Sequence, residues 1–91
     1  MRTINSTTKG ASWDEQTIAA VWRKGRTDPR YSPDVYRLDA YGSWMQRSAY
    51  GTTSEYGWEI DHVVPVSKGG ADFMFNLQPL NWRNNRTKGD S

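Results

Sequence analysis

The chain has 91 residues, with twelve Lys and Arg, ten Asp and Glu and a single His, giving a formal net charge of +2 and a pI of about 9.1. That length makes one domain with a thin core, and the absence of cysteine excludes both a disulfide framework and a thiolate zinc site. Hydrophobic residues are scarce at 35% while aromatic ones reach 13%, with five Trp and five Tyr, so the core is expected to rest on a few large rings.

Residues 1–12, within "MRTINSTTKGASW", contain no apolar run, so neither a signal peptide nor a membrane span is expected there. They read as a flexible tail ahead of a single domain at 13–91, and a cytoplasmic location is expected. The segment "WDEQTIAAVWRK", 13–24, predicts a helix, with Ser12 as N-cap, Glu15 as its capping-box partner, Ile18, Val21 and Trp22 on one face, and Gly25 as its end. Two prolines make 26–34 a loop. "VYRLDAY", 35–41, is compatible with a strand or a turn. Residues 43–48 predict a strand with Trp44 and Gln46 on one face, and 51–57 a turn-rich connector.

"WEIDHV", 58–63, alternates as a strand does. A loop follows at 65–72, with Asp72 placed to cap a turn through "FMFN". "NLQPL", 76–80, is short and extended, and Pro79 limits it to an edge. "NWRNNRTK", 81–88, predicts a short helix stopped by Gly89. The class is therefore α+β. Trp13, Trp22, Trp44 and Trp58 are expected in the core; Trp82, beside Arg83, is the exception.

Charge is unevenly spread. Residues 22–37 carry five basic and two acidic side chains, interleaved with aromatic ones, and 81–91 carry three basic and one acidic. This suits a phosphate backbone, although a solvated surface would read the same way. The stretch "WEIDHVVPVSKGG", 58–70, holds the only histidine directly after Asp61. Phosphodiester hydrolysis needs a base to activate water, for which a neutral imidazole is suited. It also needs balance for the charge on the phosphate and the leaving 3′-oxygen, which a hard cation held by carboxylate and amide oxygens supplies. Neighbours on a regular strand point to opposite faces, so a site shared by Asp61 and His62 requires the strand to end or bulge there.

"EIDHVVPVSKGG" followed by "NLQPLNWRNNRTKGD" resembles the HNH endonuclease family. The resemblance covers residues 58–90, and "YRLDAYGSW" and "SEYGWEIDH" look like the leader of small stand-alone members. Its specificity comes from the compound motif: an acidic residue before His, Pro three after it, a Gly-Gly loop, Asn-Leu-Gln, then Asn-x-x-Lys-Gly-Asp. The resemblance implies a ββα-metal core at 58–90, here with an N-terminal helix and an extra short strand. It implies that His62 is the general base, Asp61 a metal ligand, Asn76 the asparagine that holds the loop and orients the base, and Asn85 the final ligand, in a His-Asn-Asn variant. Glu59, two residues before Asp61, is a further metal-ligand candidate or an arginine partner.

One divalent cation is implied, Mg²⁺ first, then Mn²⁺ or another divalent ion. Relatives often add a Cys-x-x-Cys zinc site, but Asn81 and Asn84, with Gly42 and Trp44 upstream, replace it, so no structural zinc is expected. Arg47, Lys68, Arg83, Arg86 and Lys88 are the phosphate-contact candidates, double-stranded DNA is the expected partner, and no membrane is expected. The competing reading is a weak or inactive DNA-binding or assembly module on the same fold, working with a larger protein. An RNA-directed member is a third.

Overall fold

The computed structural model describes residues 3–89; Met1, Arg2, Ser91 and the acidic end of the motif, Asp90, lie outside the described residues. Helix α1 spans Glu15–Trp22, shorter than the expected 13–24. Its N-cap is Asp14, not Ser12: the Asp14 side chain accepts from Thr17 N at 2.8 Å, which satisfies an amide that the first turn leaves open. Arg23 is the C-cap. Gly25 serves a different purpose, because a Cβ there would stand 3.0 Å from Arg37 Cβ.

Strands β1, Tyr36–Leu38, and β2, Trp44–Gln46, pair antiparallel, with Tyr36 opposite Gln46 and Leu38 opposite Trp44. The ambiguous 35–41 stretch thus yields a strand. β2 stops earlier than expected, as Arg47–Ala49 turn into a single 3-10 turn. Between the strands, buried Asp39 closes the turn by accepting from the backbone of Tyr41 at 3.0 Å and Ser43 at 2.9 Å. The same carboxylate accepts from Asn81 N at 2.9 Å and Asn84 Nδ2 at 2.8 Å.

Strands β3, Trp58–His62, and β4, Leu77–Asn81, form a second antiparallel pair, with Asp61 opposite Gln78 and His62 opposite Leu77. Two strands leave each one free edge, which accommodates Pro79. Helix α2, Trp82–Lys88, follows at once. Asn81 caps it by accepting from Arg83 N, and Gly89, at φ 85°, ends it. Asp72 does not cap the turn at Met74–Asn76, whose N-cap position is Phe73 with no side-chain cap.

The core joins Ile18, Val21 and Trp22 of α1 to Met45 of β2, Trp58 and Ile60 of β3, and Leu77 of β4. Trp22 and Trp58 meet at 5.1 Å. Burying each of Met45, Ile60 and Leu77 contributes about 1.5–3 kcal/mol. β3 departs from the half-buried pattern its alternation suggests: every residue in it is buried. The Trp58, Ile60 and His62 face meets the α1 side, and the Glu59 and Asp61 face meets α2, so neither is left to solvent. Part of the N-terminal segment read as a tail lies against this strand, with Asn5 Oδ1 accepting from Ile60 N at 2.7 Å and from the Tyr50 hydroxyl at 3.1 Å.

Candidate active site

β3 ends at His62 in regular register, without a bulge, so the alternation of a strand divides the sequence-predicted residues into two groups. The first group faces α2. Asp61 is fully buried, and its Oδ2 accepts from Gln78 Nε2 at 2.8 Å, across the strand pair. Lys88 Nζ lies 3.0 Å from each Asp61 carboxylate oxygen and donates to the His62 carbonyl at 2.7 Å. Glu59 accepts from Asn85 Nδ2 at 3.0 Å and from Arg86 at 2.9 Å. The buried Asn85 Oδ1 has no hydrogen-bond partner. An amide oxygen without a partner in the protein interior is costly, and it is a hard donor of the kind Mg²⁺ accepts. Asn85 and Lys88 are three apart on α2 and so share a side.

The second group lies on the other face of β3. The His62 ring is buried, with Nε2 2.8 Å from Asp72 Oδ1 and Trp13 packed 5.7 Å away, ring centre to ring centre. A carboxylate accepts and does not donate, so in the neutral imidazole this contact places the proton on Nε2 and leaves Nδ1 as the acceptor nitrogen. Nδ1 is buried and without a partner. Thr8 completes the arrangement by donating to Asp72 from its backbone N, at 3.1 and 3.2 Å, and from its hydroxyl, at 2.9 Å. Burial opposes the charged form of Asp72, yet the hydrogen bonds from His62 and Thr8 hold its carboxyl below the ordinary value.

Asn76 fixes the loop that carries Asp72. Its Oδ1 accepts from Val64 N at 2.8 Å, and its Nδ2 donates to the carbonyls of Val64 and Ala71 at 3.2 and 3.0 Å. Gly70 is required at the same crossing, because a Cβ there would meet the Val64 oxygen at 1.7 Å. Beyond His62, Val63 and Val64 are about half exposed, and Phe73 and Phe75 stack 5.4 Å apart on the surface.

The basic candidates separate. Arg47 pairs with Glu15 at 2.8 Å. Arg83 and Arg86 flank the Trp82 ring, at 4.8 and 5.3 Å, and Arg83 also donates to the Glu55 carbonyl. Lys68 is exposed, while Lys88 is inside the Asp61 cluster.

Three residues that contact the sequence-predicted ones were not anticipated. Asp72 was assigned to a turn cap, though a lone carboxylate ten residues after the lone His in a Gly-Gly loop was a usable signal. Gln78 follows from the strand register alone. Trp13 carried no signal beyond its helical spacing. Among the described residues, no group of three or more His, Cys, Asp or Glu could hold a metal ion.

The family model for HNH endonuclease matches residues 49–91, the part of the chain that contains Glu59, Asp61, His62, Asp72, Asn76, Asn85 and Lys88, while Thr8 and Trp13 lie upstream of it. No curated protein and no solved structure matches. Among the described residues no helix is long and apolar enough to cross a membrane.

Proposed function

Given a segment 49–91 that matches the HNH endonuclease family, we propose that the chain is a divalent-cation-dependent endonuclease that hydrolyses phosphodiester bonds in double-stranded DNA. The observation that carries this reading is the His62–Asp72 pair, which fixes the imidazole tautomer and leaves one basic nitrogen unengaged. His62 Nδ1 takes the proton of the attacking water. Asp72 holds the ring and balances the imidazolium that results, and Asn76 keeps the Asp72 loop closed against Val64. The scissile phosphate lies at the end of β3, where the two faces of the strand meet.

The donor set fits a hard cation: a buried carboxylate, Asp61, and the orphaned amide oxygen of Asn85. Mg²⁺ or Mn²⁺ would be held by these two, with Glu59 beside them. When bound, the ion supplies positive charge to the phosphate and the leaving 3′-oxygen. Arg83, Arg86 and Lys68 supply phosphate contacts that position the duplex without reading its sequence.

A second reading has its own support. His62 is 1% exposed and Lys88 occupies Asp61, an arrangement that suits a nuclease fold retained for DNA binding or assembly with a larger protein. Supercoiled plasmid separates the two. The endonuclease reading expects relaxation or linearisation that requires Mg²⁺ or Mn²⁺ and falls by at least about 10²-fold in His62→Ala. Equal cleavage by His62→Ala overturns His62 as the base, and no cleavage with any divalent ion favours the binding module.

A further inference from the structure

Away from both groups, a cavity of about 150 Å³ is lined by four aromatic residues, Tyr31, Tyr36, Trp44 and Tyr56. Its walls stand nearly at right angles. Tyr31 meets Trp44 at 81° with centres 5.2 Å apart, Tyr36 meets Trp44 at 84°, and Tyr36 meets Tyr56 at 85°. Such a corner presents ring faces and ring edges to the same space.

The polar tips of these rings differ from those of three other tryptophans, although the Trp13 indole N–H is unpaired as well. Trp22, Trp58 and Trp82 each donate their indole N–H to a backbone carbonyl, as packed tryptophans usually do. Among the described residues, the Trp44 indole N–H and the hydroxyls of Tyr31, Tyr36 and Tyr56 form no hydrogen bond. Four donor or acceptor tips are therefore free around one aromatic cavity, and Tyr31 is 46% exposed.

Charge narrows the ligand. No carboxylate lines the cavity, and the Arg30 guanidinium, 5.5 Å from the Tyr31 ring, is paired with Asp28 at 2.8 Å and so leaves the rim without net charge. A quaternary ammonium would find aromatic faces but no carboxylate in the lining to balance its charge. A flat neutral ring needs no counter-charge there and can use the ring faces and edges. The space is too small for a drug-sized ligand and suits one planar group. A neighbouring cavity shares Trp44 and Tyr56, has Glu55 on its wall and reaches Arg83 and Asn84 at the start of α2, so a strand leaving the aromatic corner has a path along its Arg83 side to the helix that carries Asn85.

We infer that this cavity holds one unpaired nucleobase of a nucleic-acid strand whose backbone runs past Arg83 toward α2. The inference rests on the endonuclease reading for its class of ligand and deepens it by adding a base-stacking subsite. The stack is sequence-tolerant, since every base has a π face.

The test uses the full chain and three fluorescently labelled probes: oligothymidylate, an abasic strand of equal length, and a blunt duplex. Anisotropy should show oligothymidylate bound about 5- to 150-fold more tightly than the abasic strand, the range for one stacked base. Tyr31→Ala should bring that ratio toward one, and Tyr31→Phe, which keeps the ring, should retain most of it. Tyr56→Ala repeats the test on a second wall. Circular dichroism checks that each variant is folded.

Equal binding of base-bearing and abasic strands by the wild type overturns the inference, as does a ratio untouched in both alanine variants. So does displacement of the probe by tetramethylammonium at lower concentration than by thymidine monophosphate, which would make the corner a cation cage. Plasmid cleavage with the same preparations keeps the two readings apart. Metal-dependent cleavage without a base preference sinks the subsite alone, whereas a base preference without cleavage sinks the nuclease and leaves the subsite standing.

Discussion

Lys88 Nζ lies 3.0 Å from both carboxylate oxygens of Asp61, a side chain with no solvent exposure. With the His62 carbonyl at 2.7 Å, the ammonium is surrounded by oxygens. It therefore satisfies the carboxylate proposed to hold a divalent cation, and the two cations compete for the same charge.

That competition predicts the behaviour of Lys88→Met. Removing one partner of a buried pair strands the other charge, at a cost of about 3 kcal/mol or somewhat more. The variant should melt well below wild type in EDTA. Added Mn²⁺ should then raise its melting temperature more than that of wild type, because a ligand bound at 100 times its Kd stabilises by about 2.7 kcal/mol. Calorimetric melts with and without Mn²⁺ read this directly. Identical metal responses would show that Asp61 is not the cation's ligand.

Asn85→Asp places a carboxylate against Glu59, which Asn85 Nδ2 now touches at 3.0 Å. Two buried like charges repel, so the metal-free variant should be less stable than wild type, by about 1–3 kcal/mol if one stays protonated or finds other partners. Mg²⁺ should narrow that gap and bind more tightly than to wild type. Asn85→Ala, which lacks the amide oxygen, should need higher Mg²⁺ for the same cleavage rate. A metal titration of cleavage that is the same in all three proteins would remove Asn85 from the ligand set.

Asp72→Asn keeps the shape of the His62 partner and removes its charge. An amide can donate to Nε2 and so favour the wrong tautomer; where a comparable carboxylate–imidazole pair is broken this way, rates fall by about 10⁴. A drop in single-turnover cleavage of between about 10² and 10⁴, with DNA affinity held, is expected. Cleavage within about 2-fold of wild type would make the Asp72 contact structural only.

Acid stability follows from the same contact. The native Asp72 carboxyl titrates below its ordinary value of 3.8, so its contribution is fully present above 3.8 and is lost as pH falls through the lower native value. Wild type should lose stability relative to Asp72→Asn on going from pH 5 to below about pH 3. Urea denaturation at the two pH values measures the difference, and parallel curves would contradict it.

Much of the second half of the fold was legible in the sequence. The strand–loop–strand–helix order from 58 onward, the Asn81 start and the Gly89 stop all follow from local signals that tertiary contacts do not override. The N-terminal helix shows the usual limit, for Ser12 and Asp14 are both competent caps and only packing chooses between them. The residues proposed for the site can be picked out of the sequence, but their arrangement cannot. Period-two alternation correctly puts Asp61 and His62 on opposite faces, yet the partners that define each face, Lys88 and Asp72, come from a helix and a loop whose positions no local rule fixes. Trp13 over the imidazole is a contact between residues 49 apart, beyond any spacing argument.

Asp39 carries a consequence for modularity. This one carboxylate, from the turn between the first two strands, holds both the amide that opens α2 and the Asn84 side chain within it. The segment that matches the nuclease family starts ten residues later, at 49. Excised there, it would lose Asp39, the aromatic cover over His62, and Ile18, Val21, Trp22 and Met45, which close one side of the core. The family-matching segment is thus not a self-contained cassette: the upstream half braces its helix, closes its core and reaches its candidate site through Trp13 over His62 and Thr8 on Asp72, so sequence drift there is constrained by a geometry set outside that half.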